Sequence, residues 1–248
     1  MLRNLKLLNN RLKFVMVRHG ESVWNQDSKF TGWTNIPLTD NGRSEAKDIA
    51  NVLIENKIIP KIIFTSGLKR AIETSNIIHN EIKNNVEDEI FIHTSWRLNE
   101  KHYGNLEGVP RQLIRDDYGE NFTKMMRKNF YMKPPLIDND KYKIERDMRL
   151  KKYQEFKNCY FDTIKNGESK EDVLNRLLPY FQNDILYTLN PYRIPLIVTH
   201  KHCLRVLMKH LLKLDDKSFE DYELPNKTIM TIYLNNNMDY LHHEELKY

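Results

Sequence analysis

The stretch "IPLIVTHKHCLRVLMKHLLKL" (Ile194–Leu214) decides how the chain is read. Ile194 to Val198 form a short, uncharged apolar run, the pattern of a strand buried on both faces. The run stops at Thr199-His200, and a helical stretch from Cys203 to Leu214 follows almost at once. Strand, polar corner, helix is the unit from which a sheet covered on both faces is built. The corner carries two histidines, His200 and His202. H-x-H on an extended strand would turn both rings to one face as a metal pair. Alternatively, one histidine is catalytic and the other only its neighbour.

The same unit recurs along the chain. "FVMV" (Phe14–Val17), "KIIFTS" (Lys61–Ser66), "EIFIHT" (Glu89–Thr94) and "TIMTIYL" (Thr228–Leu234) read as further strands. Between them, "DNGRSEAKDIANVLIENK" offers Asp40 as an N-cap and apolar residues at 46, 49, 50, 53 and 54, a helical spacing. "LKRAIETSNIIHNEI" and "ESKEDVLNRLLPYFQNDILYTL" are further helices, the second kinked at Pro179. The expected fold is α/β: three layers, a mostly parallel sheet with helices on both faces. Residues 14–248 are expected to form a single domain behind a basic extension, 1–13, with four basic and no acidic side chains. From about 105 to 160 the alternation breaks, and a helical and loop insertion is expected over the ligand edge.

A hydrophobic content of 40% with 29% charged residues describes a globular chain with a core. The net charge of +5 reads as a Lys-rich surface and does not call for nucleic acid. No apolar run approaches the roughly 18–20 residues of a membrane span. Cys159 and Cys203 give neither a disulfide framework nor a zinc pattern, which suits a reducing, cytoplasmic setting. His79, His93, His210, His242 and His243 show no ligand spacing.

In open α/β sheets, ligands bind beyond the carboxyl ends of the strands. One expected strand ends in Arg18-His19-Gly20, a second runs through Thr65-Ser66 to Lys69-Arg70, and a third ends in Thr199-His200. Two arginines and two histidines meeting there suit phosphoryl transfer. Guanidinium groups hold phosphate oxygens bidentately, and an imidazole can accept the phosphoryl group.

"VMVRHGESVWN…FTGW", "FTSGLKRAIETS", "WRLNEKHYGNLEG" and "GES…LPYF" follow in order. Together they closely resemble the cofactor-dependent phosphoglycerate mutases of the histidine phosphatase superfamily, from about Phe14 to Leu234. The resemblance implies that His19 is the nucleophile that becomes a phosphohistidine, its other ring nitrogen held by an acceptor such as a backbone carbonyl. It implies that Arg18, Arg70 and His200 bind the transferring phosphoryl group and that Glu100 is the general acid/base. Asn25, Thr31, Gly32, Tyr103, Arg111, Arg127 and Lys128 match positions that hold the remaining phosphate or the carboxylate, with Lys201 and His202 beside them. His102 is expected to be structural.

The implied substrates are small phosphorylated three-carbon acids, with 2,3-bisphosphoglycerate as primer and no metal; a homodimer is left open. Such a primer carries about four to five negative charges, which the cations above would hold. The two histidines are expected to titrate differently, His19 neutral to attack and His200 charged to bind phosphate.

The chain also departs from the family. H-G-N-S-L-R reads here as His200-Lys201-His202-Cys203-Leu204-Arg205, and P-T-G as Pro225-Asn226-Lys227. A lysine where positive φ is needed would cost about 1–2 kcal/mol. The family's usual lysine is Arg111, and its double arginine is Arg127-Lys128. The chain stops at "HHEELKY" without the family's Lys- and Ala-rich tail, from which a site more open to water is expected. The leading expectation is interconversion of 2- and 3-phosphoglycerate through phospho-His19. The alternatives are a bisphosphoglycerate mutase or phosphatase of the same superfamily, and a pseudoenzyme keeping the fold as a binding module.

Overall fold

The computed structural model describes residues 12–86, 89–136 and 166–248. All five expected strands form: β1 (Leu12–Arg18), β2 (Pro60–Ser66), β3 (Phe91–Ser95), β4 (Ile194–Thr199) and β5 (Thr228–Leu234). A sixth, β6 (Tyr240–Lys247), completes one sheet in the order β3-β2-β4-β1-β5-β6. The first four strands are parallel, and β5 and β6 add antiparallel pairings. β6 was not expected because "YLHHEELK" has no apolar run. As an edge strand with a solvated face it needs little beyond backbone partners, and His242 and His243 lie within it.

Seven α-helices are described: α1 (Val23–Gln26), α2 (Asp40–Glu55), α3 (Lys69–Lys83), α4 (Arg111–Lys128), α5 (Lys170–Tyr180), α6 (Lys201–Leu212) and α7 (Asp216–Asp221). Alternation along β1 divides the core between two faces. Val15 and Val17 pack with Ile49 and Leu53 of α2 and Ile78 and Ile82 of α3. Phe14 and Met16 pack with Val173 and Leu177 of α5, Val206 and Leu207 of α6 and Phe219 of α7. Each such side chain contributes about 1.5–3 kcal/mol of burial, which holds helices on both sides of the sheet. None of the described helices is long and apolar enough to cross a membrane.

Local chemistry sets the helix ends. Thr39, and not Asp40, caps α2: its hydroxyl accepts the Gly42 N–H at 3.0 Å, and Asp40 is the first helical residue. Ser169 and Asp172 close a capping box at the start of α5. Pro179 lacks the N–H for an i→i−4 bond, and just beyond it the helix passes into a π turn (Phe181–Ile185) and a 3-10 turn (Leu186–Thr188). α4 falls in the expected insertion and is broken at Gly119, whose φ is 83°. Residues 137–160 of that insertion lie outside the described residues, as do 161–165 and 1–11 of the basic extension. Leu12 and Lys13, expected in the extension, already belong to β1.

Two lysines are buried where α4 and α5 meet the loop after β3. Lys101 Nζ donates to the carbonyls of Met126 (3.2 Å) and Met132 (3.3 Å), and Lys170 Nζ to those of Asn129 (2.8 Å) and Met126 (3.4 Å). Burial lowers Lys101 to about 8 and Lys170 to about 6, against an ordinary 10.5. Above pH 6 the unfolded chain therefore holds more protons on these amines than the folded one, so stability rises with pH. Burial raises Cys203 to about 12 from 9.0, which opposes the trend above about pH 9. Unfolding by urea is expected to show stability increasing from about pH 7 to 8.5, with a shallower increase in Lys170→Met. A flat profile, or one unchanged by the substitution, would contradict the assignment.

Candidate active site

A cleft of about 290 Å³ opens at the carboxyl ends of β1 and β4. Arg18 and His19 reach it from the end of β1, Arg70 from α3, Glu100 and Tyr103 from the loop after β3. Arg111, Arg127 and Lys128 come from α4, Lys201 and His202 from α6, and Asn25, Thr31 and Gly32 from the segment after β1. Of the expected site residues, only His200 does not line it.

His19 is 4% exposed and held at both ring nitrogens. Nδ1 lies 2.6 Å from the Gly20 carbonyl, which can only accept, so Nδ1 carries the proton. Nε2 accepts from Arg70 Nε at 3.2 Å, so its lone pair faces the cleft's cations. Burial first, then Arg70 and Arg18, hold His19 well below its ordinary 6.5, which keeps the ring neutral. Gly20 is required here because a Cβ would overlap the Gly42 carbonyl. Arg70 is itself immobilised: Nη2 donates to the Gly32 carbonyl at 2.8 Å and Nη1 to that of Thr34 at 3.1 Å. Gly32 adopts φ 52°, and a Cβ there would run into the Glu107 carboxylate. Burial brings Arg70 down to about 10, still charged at neutral pH.

His200 is fully buried beside His19, ring centroids 4.8 Å apart. Its Nε2 is 2.7 Å from the Ser66 hydroxyl, which also accepts the Leu68 N–H. The expectation of a charged His200 does not hold for the unliganded protein. Burial, then Arg70, lower it well below 6.5, as they do His19. His202 points elsewhere. Its Nε2 lies 2.6 Å from the Tyr103 hydroxyl, and its N–H donates to Glu100 Oε1 at 3.3 Å. The two histidines have different partners because His200 caps α6 and His202 is already helical. Among the described residues no group of three His, Cys, Asp or Glu could hold a metal ion.

Glu100 is 9% exposed, and burial raises its carboxyl above the ordinary 4.5 against the N–H of Lys101 (2.8 Å) and the charge of Arg70. Its loop is clamped by Arg176, which donates to the carbonyls of Arg97 (2.6 Å), Asn99 (2.7 Å) and Glu100 (2.9 Å). Arg176 is held in turn by Glu168 at 2.7 Å. The Glu168 carboxylate also accepts the N–H of His102, a fully buried ring in a structural place, as expected. Nothing in the spacing of the sequence links 168 and 176 to this loop, so the clamp was missed.

Four buried polar atoms around His19 and the cleft have no partner among the described residues: Arg18 Nε, Thr31 Oγ1, His200 Nδ1 and His202 Nδ1. The histidine phosphatase superfamily (branch 1) profile matches residues 14–138 and 136–244.

The chain belongs to the histidine phosphatase superfamily.

It is 35% identical over 228 residues to a 2,3-bisphosphoglycerate-dependent phosphoglycerate mutase of Bifidobacterium longum (strain DJO10A), covering 91% of this chain and 87% of the relative. It is 37% identical over 213 residues to the protein of that name from Buchnera aphidicola subsp. Cinara cedri, covering 86% and 89%. Among solved structures, a mycobacterial glucosyl-3-phosphoglycerate phosphatase has the same fold, with a TM-score of 0.69, 21% identity, and 96% and 98% coverage.

The two lysines that stand where the resemblance leads one to expect glycine differ in backbone cost. Lys201 opens α6 and is not among the residues with positive φ, so it carries no left-handed strain. Lys227 has φ 48°, the conformation that favours glycine, and its side chain pairs with Glu45 at 3.0 Å. The strain, about 1–2 kcal/mol, therefore falls at the second site. Asn25 spends its Oδ1 on the N–H and hydroxyl of Ser22, leaving its amide donors for a ligand. The cleft also has cations the sequence reading missed, Arg115 and Lys124 of α4. Arg205 reaches the wall too, but its guanidinium is committed to the carbonyls of Tyr222, Arg127 and Phe219.

Proposed function

We propose that the protein interconverts 2- and 3-phosphoglycerate through a phosphohistidine on His19. The observation that carries this reading is the fixed tautomer of His19, whose Nε2 lone pair shares a cation-lined cleft with the buried carboxyl of Glu100. Nε2 attacks phosphorus, the bond to the substrate oxygen breaks, and protonated Glu100 gives that oxygen its proton. In the return step ionised Glu100 takes the proton from the acceptor hydroxyl. Arg70 can pass its Nε–H from Nε2 to an equatorial phosphoryl oxygen as the N–P bond forms. Arg18, at the end of β1, adds a further donor in the same cleft.

The cations of β1, α3 and α4 in the cleft suit the anionic 2,3-bisphosphoglycerate named for the relatives. Arg18 and Arg70 would hold one phosphate, and Arg111, Arg127 and Lys128 the other anionic group. When bound it would supply the phosphoryl group that loads His19. A phosphatase differs only in taking water as acceptor. Side-by-side turnover numbers for phosphoglycerate interconversion and bisphosphoglycerate hydrolysis separate the two. Interconversion in large excess, and dependent on added primer, is expected; hydrolysis matching or exceeding it overturns the reading.

A further inference from the structure

Glu223, between α7 and β5, places a carboxylate in the wall of a cleft otherwise rich in cations. Its Oε2 accepts from Lys201 Nζ at 3.1 Å, and its Oε1 lies 3.5 Å from Lys128 Nζ. Lys128 ends α4 and Lys201 begins α6, so one carboxylate links two elements across the cleft. The pairs are only loosely held. The Glu223 side chain is 49% exposed, and ion pairs that wet are readily exchanged for another anion. Both lysines have long, rotatable stems, unlike neighbouring Arg205 with its three carbonyl bonds. The lysine at the glycine position of the family thus brings its own counter-ion.

We propose that Glu223 is a specificity-determining residue of this site, a built-in anion that holds Lys128 and Lys201 until a ligand's second anionic group displaces it. The proposal rests on the reading of the cleft as a phosphoglycerate site and names what tunes it. A ligand with a single phosphate beside His19 leaves the bridge untouched. One with a second phosphate or carboxylate must break both ion pairs or sit beside a like charge. Glu223 therefore weakens retention of a bisphosphorylated ligand selectively.

The test uses 2,3-bisphosphoglycerate and inorganic phosphate as probes, titrated calorimetrically at low salt. His19→Ala is the common background, so no phosphoryl transfer consumes the ligand. Adding Glu223→Gln is expected to tighten bisphosphoglycerate about tenfold and to leave inorganic phosphate within about twofold. Removing the lysine as well, with Lys201→Met, should erase most of that gain, and raised salt should shrink it. Glu223→Ala repeats the measurement with a second side chain, and thermal melts of each variant report the fold. An unchanged bisphosphoglycerate constant, or equal shifts for both probes, overturns the proposal. Labelling of unmodified His19, measured separately, reports on the functional reading itself, so the two can fail independently.

Discussion

Alanine at His19 is expected to leave the protein without an acid-labile phosphoryl group and to cut turnover by about 10⁴–10⁶-fold, the scale seen when a nucleophile is deleted. The neighbouring imidazole cannot take over. His200 is closed off from the cleft, and its Nε2 is engaged with Ser66. The backbone bond from the His19 N–H to the Thr199 carbonyl, 2.9 Å, does not depend on the side chain, so the β1 end should keep its place. Acid and alkali stability of a radiolabel, with turnover on the same preparation, checks this. Persistent acid-labile label in the alanine variant would assign the nucleophile elsewhere.

Glutamine at Glu100 is expected to lower turnover by about 10²–10⁴-fold, the usual range for a lost general acid/base. It should also change the shape of the pH profile. One cause, burial, moves two groups in opposite directions: His19 downward and Glu100 upward. In the loading half-reaction, followed as kcat/KM for 2,3-bisphosphoglycerate, the nucleophile must be unprotonated, so kcat/KM falls as pH drops through the lowered value of His19. The acid must hold its proton, so kcat/KM falls as pH rises through the raised value of Glu100. Bringing the two values together widens the range in which both are in working form. The glutamine variant should keep the acid limb and lose the alkaline one. An alkaline limb surviving in that variant would point to another group.

The clamp on Glu100 and the Glu223 bridge mark where reading residues in order stops being informative. Arg176 and Glu168 hold a loop some seventy residues away, and that pairing exists only once α5 has packed beside it. Glu223 on its own is an unremarkable loop carboxylate. Only the meeting of α4, α6 and the segment before β5 turns it into a counter-ion for two lysines. β6 was illegible for a different reason: an edge strand takes its order from hydrogen bonds to β5, not from apolar side chains.

The sequence by itself determined the alternation of strands and helices, the sheet's parallel centre and the identity of about two thirds of the residues lining the cleft. These depend on short-range quantities: apolar runs, helical periodicity and motifs in contiguous stretches. Protonation was decided only by the tertiary structure. Nothing in "THKHCLR" distinguishes a charged His200 from a neutral one. Burial, then the charge of Arg70, lower it, while Ser66 meets one ring nitrogen. Desolvation and neighbouring charge come from elements distant in the chain, and they exist only once those elements are packed together.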